Sequence, residues 1–121
     1  MKLTNFTIYD FAMLYQNHFK DFNKYIPAKA NFKLQKNINT LVAAAEEIDT
    51  RRSNVIKQYG EKDSEGSYMF TPENQKIVQK ELQDLFNIEQ DLNILTLNID
   101  DFNGVEFTPA QMQLLMFMFE E

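Results

Sequence analysis

The chain has 121 residues, 44% of them hydrophobic and 25% charged, with a formal net charge of −6. That length favours one domain able to bury about 68% of the surface its unfolded form exposes, and the composition excludes disorder, fibrous repeats and an unfolded acidic tail. With no cysteine the chain offers no disulfide and no thiolate site, and with one histidine, His18, a histidine-based metal site or catalytic dyad is not expected within a single chain.

Apolar residues at Ile8, Phe11, Tyr15, Phe19 and Phe22 fall three or four apart behind Thr4 or Thr7 as caps, which predicts a first helix over residues 5 to 23. Pro27 suits the first turn of a second helix. No breaker follows until Gly60, placed for a left-handed cap, and Leu34, Ile38, Leu41, Ala45, Ile48, Val55 and Tyr59 keep the helical period. Such a helix is about 48 Å long, so its far end needs cover from the C-terminal half or from another subunit.

Residues 61–66 read as a polar loop and 68–70 as a short strand. Thr71-Pro72 opens a third helix striped by Ile77, Val78, Leu82, Leu85 and Phe86. Residues 92–99 alternate like a strand with one bulge, residues 100–104 form a turn, and residues 105–107 offer a third strand. Thr108-Pro109-Ala110-Gln111 predicts a capping box, with Phe107 and Met112 placed for a hydrophobic staple, at the start of a final helix over residues 109–119. The expected fold is a mainly helical α+β domain over residues 1–121. Residues 1–60 would form a long antiparallel helix pair, and residues 61–121 a small antiparallel sheet with two shorter helices.

Chemistry is sparse. His18 reads as a surface histidine, and the neighbouring acids Glu46-Glu47 and Asp100-Asp101 as solvated side chains. Residues 61–66 begin like a calcium loop, but its twelfth position is Pro72 where a glutamate is needed. Phosphate-cradling glycine loops, nucleophile elbows and zincin patterns are absent. The reading is therefore a non-enzymatic protein, with no catalytic residues, no cofactor and no metal.

Charge is unevenly placed. Residues 1–40 carry six lysines against Asp10 and Asp21, whereas residues 61–121 carry 13 acids against Lys62, Lys76 and Lys80. This points to an oriented encounter or to attraction between copies, unless the two halves neutralise each other in the fold. Lys29, Lys33 and Lys36, with Lys20 and Lys24 before them, could meet phosphates. The acidic total and the lack of an accompanying stacking motif argue against nucleic acid as a partner.

The run Leu114-Leu115-Met116-Phe117-Met118-Phe119 covers every side of a helix. Either the helix sinks wholly into the domain, or part of it is buried by another molecule. Met116, Phe117, Met118 and Phe119 are the expected contact residues, with Phe6 and Tyr9 secondary because they lie off the main stripe of the first helix. The partner would be a phage or host protein or a second copy. No export leader and no run of about 18 apolar residues is present, so a soluble protein with no membrane partner is expected.

The segments Ile26-Pro27-Ala28-Lys29-Ala30-Asn31-Phe32-Lys33-Leu34, Lys36-Asn37-Ile38, Tyr59-Gly60-Glu61-Lys62-Asp63, Pro72-Glu73-Asn74, Leu82-Gln83-Asp84-Leu85 and Phe107-Thr108-Pro109-Ala110-Gln111 span most of the chain. Together they resemble a family of small phage and prophage proteins of Gram-positive bacteria of unknown function. The resemblance implies a viral or prophage origin and no assigned enzyme activity, and it carries over no functional residues; with no export leader in view, the expected location is the cytoplasm of the bacterial host. The expected function is protein binding, in virion assembly or by inhibiting a host or defence protein. The alternative is an acidic mimic of nucleic acid that uses Glu65, Glu73, Asp84, Glu89, Asp91, Asp100 and Asp101.

Overall fold

Thr4 caps the first helix, accepting a hydrogen bond from the Thr7 amide at 3.2 Å. In the computed structural model, which describes residues 1–120, this helix is α1, Asn5–Phe19. It stops short of the expected residue 23. The Phe22 amide instead donates to the Phe19 carbonyl at 3.1 Å, and the Phe22 ring turns back to within 5.3 Å of the Phe19 ring and 5.8 Å of the Phe107 ring.

Helix α2, Ala28–Tyr59, starts directly after Pro27. Tyr15 lies beside Gln35, and the Tyr9 hydroxyl donates to Asp49 at 3.2 Å, so advancing along α1 means retreating along α2. This is the expected antiparallel pair. Ala30, Leu34, Ile38, Leu41, Ala45 and Ile48 form its buried seam, with Ile8 and Phe11 in the same core. Beyond Ile48 the helix has no buried residue.

Gly60 is not a left-handed cap. Its φ is −99°, in the extended range. A Cβ there would lie 2.8 Å from the Ile56 carbonyl oxygen and 2.9 Å from the Phe70 ring, so glycine serves close approach. The next segment is a tight hairpin of β2 (Glu61–Lys62) and β3 (Tyr68–Met69). Asp63 holds its turn by accepting from the Glu65 and Ser67 amides, each at 2.9 Å, and Gly66 takes a φ of 87° there. Helix α3, Pro72–Asn87, begins at the expected Thr71 cap and is tied to the end of α2 by Asn74 donating to the Tyr59 carbonyl at 3.0 Å.

The sheet differs from expectation. Among the described residues two separate two-stranded sheets form: β2 with β3, and β1 (Lys2–Thr4) with β4 (Glu89–Asp91), antiparallel with Lys2 opposite Asp91 and Thr4 opposite Glu89. Residues 92–99 are not a ladder strand but a strap across the core. The buried Asn37 side chain acts as their surrogate strand, donating to the Leu95 carbonyl at 2.8 Å and accepting from the Leu95 amide at 2.7 Å. The strap's alternation records burial on one side, and Leu97 is its buried residue. Leu97 exchanges bonds with Met118 and Glu120 in a single parallel bridge centred on Phe119. Residues 105–107 are also not a strand. A 3-10 turn at Ile99–Phe102 leads into them, and the Phe107 ring joins Phe19, Phe22 and Phe102.

The capping box at α4, Pro109–Leu115, is present as expected. Gln111 closes it and also donates to the His18 carbonyl at 2.7 Å, so one side chain starts α4 and fastens it to the end of α1. The final helix does not run on to Phe119. It tightens into a 3-10 turn at Met116–Met118, which frees the Met118 carbonyl for Leu97. Among the described residues no helix is long and apolar enough to cross a membrane.

Candidate functional site

The C-terminal apolar run is divided by the turn that ends α4. Leu115 and Met118 are buried, Leu114, Phe117 and Phe119 are half-buried, and Met116 is 59% exposed. Met118 is therefore a core residue, not a contact residue. Phe119 packs its ring at 5.3 Å on Phe102, while the Phe117 ring meets Phe11 edge-on at 5.8 Å. Most of the apolar surplus inferred from the sequence is absorbed within this one chain.

What remains is a groove between α1 and α4. It has a volume of about 370 Å³ and an apolar floor of Phe11, Leu14, Leu114 and Phe117. Its rim carries Thr7, Asp10, His18 and Gln113. The helical repeat explains the set, since Thr7, Phe11, Leu14 and His18 advance by three or four residues along the flank of α1 that faces α4. The bond from Gln111 to the His18 carbonyl fixes the spacing of the two walls.

Of the six expected contact residues, Phe117 lines this groove and Met116 follows the α4 wall in sequence. Phe6 is 61% exposed on α1 but does not line it. Tyr9 is half-buried. Its hydroxyl is held by Asp49, and its ring lies 5.5 Å from Phe86 at 72°, so it serves the junction of α1, α2 and α3. Tyr9 instead edges a second hollow of about 350 Å³ between α1 and α2, with Met13, which is 52% exposed. Sequence reasoning missed Leu14. Its signal was the spacing from Phe11 and His18, off the stripe that faces α2.

Other singled-out groups have structural partners. Asp101 lies 3.7 Å from Lys29, and Lys24 donates to the backbone carbonyl of Glu106 at 3.0 Å, so the C-terminal segment folds back onto the lysine-rich end with one acid paired there. The charge asymmetry of the sequence is partly neutralised in space. Glu65, Glu73, Asp84, Glu89, Asp91 and Asp100 are exposed, and two of them meet cations, with Lys80 3.4 Å from Asp84 and the N-terminal ammonium 2.9 Å from Asp91. Among the described residues no three acidic or histidine side chains converge as a metal site. The Tyr15 phenol is pushed above its ordinary value by burial, with a hydrogen bond to Gln35 pulling the other way.

Comparison with known proteins gives no family model, no curated protein and no solved structure that matches the chain.

Proposed function

We propose that this is a non-enzymatic protein of phage or prophage origin that acts in the bacterial cytoplasm by binding another protein, in virion assembly or against a host or defence factor. The observation that carries the reading is the apolar floor of the α1–α4 groove, open to solvent and close in volume to the lower range of sites that seat one small ligand or side chain. A partner would insert an aliphatic or aromatic side chain over Leu14, Leu114 and Phe117. Asp10 on the rim favours a basic neighbour beside that anchor. The viral origin rests on the sequence resemblance alone.

The test is affinity capture from infected and uninfected host lysates at low and high salt, with the wild-type chain and with Leu14→Gln and Leu114→Gln. A specific partner should persist at high salt, because burial of apolar surface is little screened, and both variants should lose it, with Leu14→Gln, whose side chain lies outside the core, melting close to wild type. Capture that survives both substitutions, or that vanishes with salt, would remove the groove from the account.

A further inference from the structure

Two shallow hollows sit at the start of α2 and share no residue with the groove. One, of about 320 Å³, is lined by Asn31, Phe32, Gln35, Lys36 and Asn39. The other, of about 500 Å³, is lined by Lys24, Tyr25, Pro27, Asn103, Gly104 and Glu106. Each contains an aromatic ring that the fold leaves in solvent, Phe32 at 65% exposure and Tyr25 at 81%. Each also combines that ring with a lysine and at least one side-chain amide, three beside Phe32 and Asn103 alone beside Tyr25.

The Lys36 ammonium lies 5.5 Å from the centre of the Phe32 ring, and the Lys29 side chain, 73% exposed, stands one turn before Phe32 on α2. Residues 22–45 contain four lysines and no aspartate or glutamate. Asp101 and Glu106 come from the C-terminal segment. Asp101 lies 3.7 Å from Lys29, and Glu106 presents its backbone carbonyl to Lys24. Lys29 thus has Asp101 beside it and the Tyr25 hollow includes Glu106, and four lysines against these two acids leave the surface positive on a chain of net charge −6.

A lone exposed phenylalanine would call for no explanation. Ring, cation and amide recurring in two neighbouring hollows is a different matter. A flat exposed ring stacks an unpaired base, an ammonium neutralises phosphate, and an amide both donates to and accepts from a base edge. An acidic peptide would use the lysines but has no need of two solvent-facing rings, and a duplex hides its base faces from them.

Contrary to the sequence expectation, which did not count Phe32 and Tyr25 as stacking groups, we infer that this surface binds single-stranded nucleic acid, with bases stacked on Phe32 and Tyr25 and the adjoining phosphates met by Lys29 and Lys36. The inference is independent of the protein-binding groove.

The experiment is fluorescence anisotropy of the full chain with labelled oligothymidylate and oligouridylate. A duplex of equal length and a polyglutamate peptide serve as competitors. Binding at low salt should weaken about tenfold in Phe32→Ala and in Tyr25→Ala and be restored in Phe32→Trp. Replacing Lys29 and Lys36 together by alanine should flatten the logarithmic salt dependence by about 1.4. Circular dichroism melts establish that the variants fold, and Tyr25→Ala, in the loop before α2, remains a test should Phe32→Ala alter the helix. No binding at low salt overturns the inference. So does binding indifferent to both ring deletions, which would be plain charge attraction, or polyglutamate competing as well as the oligonucleotides, which would mark an acidic-peptide site.

Discussion

The two halves of α2 carry a similar apolar period but live in different surroundings. From Ala30 to Ile48 the helix buries seven residues, and from Asp49 to Tyr59 it buries none. The first half is enclosed by α1, the strap and the C-terminal turn, which bring Leu97, Leu115 and Met118 into its core. The second half has α3 and the β2–β3 hairpin beside it, and α3 itself buries only Val78. Periodicity thus marks the side of a helix that is fit to be buried, and the number of neighbours decides whether it is.

If that contrast is energetic, mutations should separate the halves. Leu41→Ala, in a fully buried site, should cost about 3 kcal/mol in urea unfolding. Asn37→Leu should follow at about 2 kcal/mol, because it orphans both backbone groups of Leu95 under the strap. Val78→Ala should cost about 1 kcal/mol, and a value equal to that of Leu41→Ala would erase the distinction. Hydrogen exchange sharpens the comparison without mutation: amides of Ile38 to Ile48 should open only with global unfolding, and those of Val55 to Tyr59 through a smaller local opening.

The smallest effect is in pH. Burial raises the Tyr15 phenol above 10.0, so the folded chain holds that proton more tightly than the unfolded one. Its contribution is intact below pH 10 and declines as pH rises through the folded value. Tyr15→Phe should remove that decline from the alkaline stability profile.

The helices were legible because their ends are written in local chemistry. Thr4, Thr71 and Thr108 each cap through their own hydroxyl, and Gln111 completes its box within four residues of sequence. The sheets were not. Strand β4 is Glu-Gln-Asp, exposed at its ends, and pairs with Lys2–Thr4 across nearly ninety residues, so nothing local announces it. The strap was misread because alternation reports burial, whereas its pairing is supplied by the side chain of Asn37 from another element. At the groove, Phe117 was visible as surplus apolar character. The sorting of its neighbours into core and surface depended on the turn after Leu115, which is set by the distant Leu97.

The lateness of Leu97, Leu115 and Met118 in the chain also governs how the molecule is made. At 5–20 residues per second, a ribosome needs about 4–14 s to travel from Ile48 to Met118. During that interval the emerged hairpin has Leu34, Ile38 and Leu41 ready but lacks the residues that close over them. Closure of this core therefore waits on the last residues to be made.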